Sequence, residues 1–118
     1  MFPWSKVIDR KTLKETISND PGLLDTVIEL FKQQSEDTLL GMSTAIKRTD
    51  AVAFGRAAHD LKNIGRSVAC SKLIVQSQEL EKIASENQLK ETNISLKATE
   101  KLLNKALIEL ISIRKHWK

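Results

Sequence analysis

Arg56-Ala57-Ala58-His59-Asp60-Leu61-Lys62-Asn63-Ile64-Gly65-Arg66 carries apolar residues at helical spacing and a histidine on the other side of them. At about 100° per residue, Ala57, Ala58, Leu61, Ile64 and the following Val68 fall on one stripe of a helix. His59 then points roughly 180° away from that stripe. Arg56, Lys62 and Arg66 are read on the same outward face. A histidine kept out of the core and ringed by cations suits contact with an anion.

The same period continues on both sides of this stretch. Thr49-Asp50 interrupts the chain, so the helix carrying His59 is predicted from about Ala51 to Ser67. Upstream, Asn19-Asp20-Pro21 is a helix start: Asp20 can cap, and Pro21 fits the first turn, where its missing N–H is not needed. Leu24, Val27, Phe31, Ser35, Thr38, Met42 and Ala45 then step by three and four to about Arg48. A short helix is predicted from Arg10 to Ser18, capped by Asp9, with Leu13 and Ile17 one turn apart. Phe2, Trp4, Val7 and Ile8 precede it and are expected to cover one end of a core.

Downstream, the chain is expected to turn over Val68 to Ser71. Cys70, Leu73, Ser77, Leu80 and Ala84 trace the next helix, ending near Asn87, and the polar stretch from Glu86 to Thr92 reads as a loop. Thr99, Leu102, Leu103, Ala106, Leu110, Ile113 and Trp117 mark the last helix. Four long amphipathic helices with short connections predict an all-α fold, an antiparallel up-down four-helix bundle with a short N-terminal capping helix. The 118 residues suffice for one core and not for two, so a single domain over 1–118 is expected.

Composition agrees. Four Gly and two Pro are too few to punctuate an all-β chain. The net charge of +4 is concentrated at the end, where Lys97, Lys101, Lys105, Arg114, Lys115 and Lys118 face only Glu91, Glu100 and Glu109. Such a surface suits nucleic acid or an acidic protein, and ordinary solvation equally well. The single cysteine, Cys70, excludes an intrachain disulfide and is expected to pack as a small hydrophobe. No apolar run approaches the ~20 residues of a membrane span, and the N-terminus lacks the pattern of a secretory signal. The expected location is the cytoplasm. The initial Met and the lack of a linker at either end point to a free-standing protein.

Enzyme signatures are largely missing. There is no phosphate-cradling glycine loop and no pair of histidines at metal-binding spacing, and His59, His116 and Cys70 are too few for a zinc site. No metal and no cofactor are expected. A lone exposed imidazole can still act: its neutral form is a nucleophile able to take a phosphoryl group as a phosphoramidate. Lys62, one turn on, is placed to offset the phosphoryl charge, with Arg56 and Arg66 next. Gly55, one turn before, is expected to leave that flank open. The plain alternative is a surface histidine with no role.

Ala58-His59-Asp60-Leu61-Lys62, followed by Val68, Cys70, Leu73 and Leu80-Glu81, resembles the histidine-containing phosphotransfer (HPt) domains of multistep phosphorelays. Asp9, Leu13, Asn19-Asp20-Pro21, Leu30-Phe31, Ile46, Asp50 and Phe54 extend the similarity over nearly the whole chain. The resemblance implies a carrier that shuttles a phosphoryl group between aspartates of response-regulator receiver domains and His59, without kinase activity of its own. Magnesium would belong to the receiver. A hybrid sensor histidine kinase is a further candidate partner, and the carrier is expected to be a monomer without membrane contact. His59 would be the phosphoryl acceptor and donor, and Lys62 the stabilising cation. Gly55, Arg56 and Arg66 would contribute to receiver docking. Glu81 falls where a side chain on the next helix can orient the imidazole through its other ring nitrogen.

Three positions depart from the family pattern. Asn63 stands where the family commonly has Gly, Gly65 where Ser or Ala is usual, and Ala69 where Gly is usual. Asn63 adds bulk beside the nucleophile, or its amide supports the phosphoryl oxygens. Gly65, inside a helix, is expected to cost about 1 kcal/mol relative to Ala. Asn63 also motivates a second reading, a non-catalytic receiver-binding adaptor with the same fold. A nucleic-acid-binding role is disfavoured, because Glu100 and Glu109 interrupt the basic helix and no aromatic stacking platform accompanies it.

Overall fold

A computed structural model describes residues 6–117; Phe2 and Trp4, expected to cover the core end, lie outside the described residues. Five α-helices follow in order: α1 Arg10–Thr16, α2 Pro21–Lys47, α3 Ala51–Ser67, α4 Ser71–Ser85 and α5 Asn93–Lys115. No strand occurs among the described residues, so the fold is all-α.

The helices begin where short acidic side chains can satisfy free backbone donors. Asp9 accepts from the Thr12 amide, Asp20 from those of Gly22 and Leu23, and Asp50 from that of Ala53. Their ends are built differently. Thr49, Ala69 and Asn87 adopt positive φ of 53°, 56° and 56°, the left-handed position that glycine usually fills after a helix. Each terminus is closed by paired back-bonds. After α3, the Cys70 amide donates to Gly65 O at 2.8 Å and the Ala69 amide to Arg66 O at 3.2 Å. Helix α1 stops at Thr16, short of the predicted Ser18, because Ser18 and Asn19 turn left-handed at φ 53° and 58°.

The predicted stripes form the core. Leu13, Leu24, Phe31, Met42, Phe54, Ala58, Leu61, Val68, Cys70, Leu73, Leu80, Ala106 and Leu110 are almost wholly removed from water. Ile28 joins them, whereas Val27 and Leu102 lie half-buried at the stripe edges. Helix α3 packs against α2 and α4, and α5 against α2 and α4. Gln76 of α4 donates to Ser95 O and Thr99 Oγ1 of α5, and Arg114 pairs with Asp25 of α2 at 2.8 Å. The segment before α1 is held down: Glu109 accepts from the amides of Val7 and Ile8, and both side chains are buried.

Two expectations change. The stretch from Glu86 to Thr92 is not simply a polar loop: Leu89–Glu91 forms a 3₁₀ turn that drives Leu89 into the core. Thr92 is buried with it, its hydroxyl donating to Leu89 O at 2.7 Å. The second concerns Gly65. A Cβ there would stand 2.9 Å from Leu73 Cβ and 3.2 Å from Cys70 O, so alanine is the poorer residue despite its helix propensity. Gly65 brings α3 against the start of α4.

Candidate functional site

Helix α3 is fixed by its inner face, where Ala58 and Leu61 are completely buried. That leaves His59 on the outside, with 58% of its side chain exposed. The ring nitrogen turned toward α4 is Nδ1, 3.9 Å from Glu81 Oε2, so Nε2 is left on the outer side. At 3.9 Å the carboxylate is beyond hydrogen-bond reach of the imidazole.

Lys62 is placed differently from the sequence reading. Its side chain is only 17% exposed and leans onto α4, where Nζ lies 2.8 Å from Glu81 Oε1. Oε1 is shut off from water and has no aligned hydrogen-bond partner, so among the described residues the Lys62 ammonium is its only close counter-charge. The cation one turn after the histidine is thus already engaged. Arg56 and Arg66 remain exposed, without an ion-pair partner among the described residues.

The other flank is not basic. Asn63 is exposed and lines a shallow groove between α2 and α3 together with Asp37, Thr38, Asp60 and Ser67. The face around His59 is therefore two-signed, with arginines outward and two carboxylates along the groove. Gly55 does not simply leave a flank open: a Cβ there would meet Ala84 Cβ at 3.4 Å, ordinary contact between α3 and α4. His116 is exposed at the end of α5 with Nδ1 2.9 Å from Ser112 O. Cys70 is buried, which pushes its thiol above the usual range, so it is no ready nucleophile.

No group of three or more His, Cys, Asp or Glu among the described residues is arranged to hold a metal. No described helix is long and apolar enough to cross a membrane. What the site offers is one exposed imidazole, with Nε2 on the side away from Glu81, beside a lysine–glutamate pair. Periodicity locates His59 in the sequence. It does not reveal the Lys62–Glu81 pair, because nothing local in either stretch specifies how closely α4 approaches α3.

A family model described as Hpt domain matches residues 26–112, which include His59, Lys62, Asn63 and Glu81. No curated protein and no solved structure matches the chain.

Proposed function

The chain belongs to the Hpt domain family and so to phosphorelay signalling, and on that premise we propose that it is a phosphoryl carrier whose acceptor and donor is His59. The observation that supports this reading is the outward imidazole of α3, with Nδ1 toward a carboxylate and Nε2 on the side away from it. The Nε2 lone pair attacks the phosphorus of a receiver's aspartyl phosphate. The O–P bond breaks with its electrons on the aspartate oxygen, the N–P bond forms, and the proton stays on Nδ1. The imidazole becomes a phosphorylated imidazolium, and the reverse step delivers the group to a second receiver. Hpt domains carry phosphoryl groups and are not kinases, so the transfer needs no nucleotide here. The receiver is expected to supply magnesium, and the carrier needs no cofactor of its own.

The surrounding assignments belong to the same proposal. Lys62 offsets phosphoryl charge, the Asn63 amide supports the phosphoryl oxygens, and Gly55, Arg56 and Arg66 border the receiver. The chain acts as one domain over 1–118. Its α2–α3–α4–α5 contacts and short connections fit an antiparallel four-helix bundle capped by α1. It works as a cytoplasmic monomer between receivers, with a hybrid sensor kinase as a further partner.

The test is incubation with a phosphorylated receiver, followed by detection of acid-labile phosphate on the carrier. Wild type should be labelled and His59→Gln should not; equal labelling of the two overturns the reading. The adaptor reading is favoured by the exposed Asn63 beside the nucleophile. Receiver binding that survives His59→Gln, with no label on wild type, would select it.

A further inference from the structure

A phosphoryl group on His59 would share Lys62 with the carboxylate it already pairs with. The lysine ammonium lies 2.8 Å from Glu81 Oε1, an oxygen withdrawn from solvent for which Lys62 is the sole close counter-charge among the described residues. Moving Lys62 toward His59 leaves that oxygen uncompensated, which disfavours the move. Glu81 does not reach the imidazole itself, standing 3.9 Å from Nδ1. Its short contact is with the lysine, at 2.8 Å, and only its other oxygen faces the ring, at 3.9 Å.

We infer that Glu81 is a positioning residue that acts through Lys62: it competes with the phosphoryl group for the ammonium and keeps phospho-His59 a less retentive, more readily donated form. This rests on the carrier reading and adds a setting to it. An ion pair of this exposure shifts equilibria by small factors. Releasing Lys62 should therefore raise the phosphorylated share of His59 about three- to fivefold. A residue that oriented the imidazole would do the opposite when removed, and would do it whatever stood at position 62.

The two roles separate in a double-mutant cycle. Phosphoramidate serves as the probe: Nε2 bonds to its phosphorus, the donor's P–N bond breaks, and ammonia leaves with the electron pair. At a fixed ratio of phosphoramidate to ammonia, the equilibrium share of phospho-His59 is read by phosphorus NMR for wild type, Glu81→Gln, Lys62→Met and the double variant. Glu81→Gln keeps the shape of the side chain, and thermal melts report whether each variant is folded. The expected result is a higher share in Glu81→Gln and no effect of that change in the Lys62→Met background. An equal share in wild type and Glu81→Gln overturns the inference and leaves the carrier reading intact. A lower share in Glu81→Gln with either residue at 62 also overturns it, in favour of imidazole orientation. No phosphohistidine on wild type, from phosphoramidate or from a phosphorylated receiver, overturns both.

Discussion

Gly65 and Leu73 approach so closely that a β-carbon on Gly65 would stand 2.9 Å from that of Leu73. Cys70 O, at 3.2 Å from the same point, is backbone and cannot swing aside. Alanine gains about 1 kcal/mol of helix propensity over glycine, whereas overpacking costs about 1–3 kcal/mol. Gly65→Ala is therefore expected to destabilise the protein by about 1 kcal/mol, read as a lower midpoint in urea. An increase in stability would mean that the α3–α4 junction relaxes freely.

Ala69 gives the opposite sign. It sits at φ 56° in the turn between α3 and α4, a conformation that costs a residue with a β-carbon about 1 kcal/mol. Its amide donates to Arg66 O, a bond glycine retains. Ala69→Gly should stabilise by about 0.5 kcal/mol, the remainder being lost to the freer unfolded chain. Thermal denaturation of the single variant checks this.

These two neighbours show what the sequence makes legible. Helix starts are marked, because Asp9, Asp20 and Asp50 have side chains that cap. The span Ala51–Ser67 and the outward position of His59 follow from caps and period alone. Helix ends are less marked here, since Thr49, Ala69 and Asn87 occupy positions glycine usually takes and no glycine has positive φ. Leu89 is misread because one apolar residue in a polar stretch carries no period. Lys62 is misplaced for another reason: at 100° per residue it lies about 60° round the helix from His59, on the side that α4 covers. The angle is in the sequence, and the proximity of Glu81 is not.

The segment before α1 depends on a residue 102 positions away, Glu109, whose Oε1 accepts from the Val7 amide at 2.8 Å. Oε2 accepts from Ile8 at 3.2 Å. Bonds to a charged acceptor contribute about 1.5–3 kcal/mol each net of water, and less where the carboxylate is partly exposed, as Glu109 is. Glu109→Ala is expected to cost about 2 kcal/mol of stability and to speed hydrogen exchange at Val7 and Ile8. Unchanged exchange at those two amides would show that burial alone holds the segment.

The Asp9 cap makes α1 sensitive to acid. The Thr12 amide, then the Thr12 hydroxyl, hydrogen-bond to the carboxylate and hold its pKa below the ordinary 3.8. A depressed carboxyl stabilises the folded state above its unfolded value, and the contribution is lost as pH falls through the lower folded value. Amide exchange in α1, corrected for intrinsic rates, should therefore accelerate below about pH 4 in wild type. Asp9→Asn caps without titrating and should remove that part of the acid response.

Asn63 tests whether the groove beside His59 is part of the docking face. Its exposed side chain makes no hydrogen bond among those of the described residues, and it shares the groove with Asp37 and Asp60. Removing it should cost only the difference in helix propensity between Asn and Gly, about 0.3 kcal/mol. If a receiver covers the groove, Asn63→Gly takes bulk out of the interface and should raise the transfer rate while leaving the fold intact. If the amide supports the phosphoryl oxygens instead, the same variant should lose phospho-His59 stability with phosphoramidate as donor, where no receiver is present. Measuring both reactions on one variant separates a steric role from a bonding role. A change in neither would confine the docking surface to the arginine side of His59.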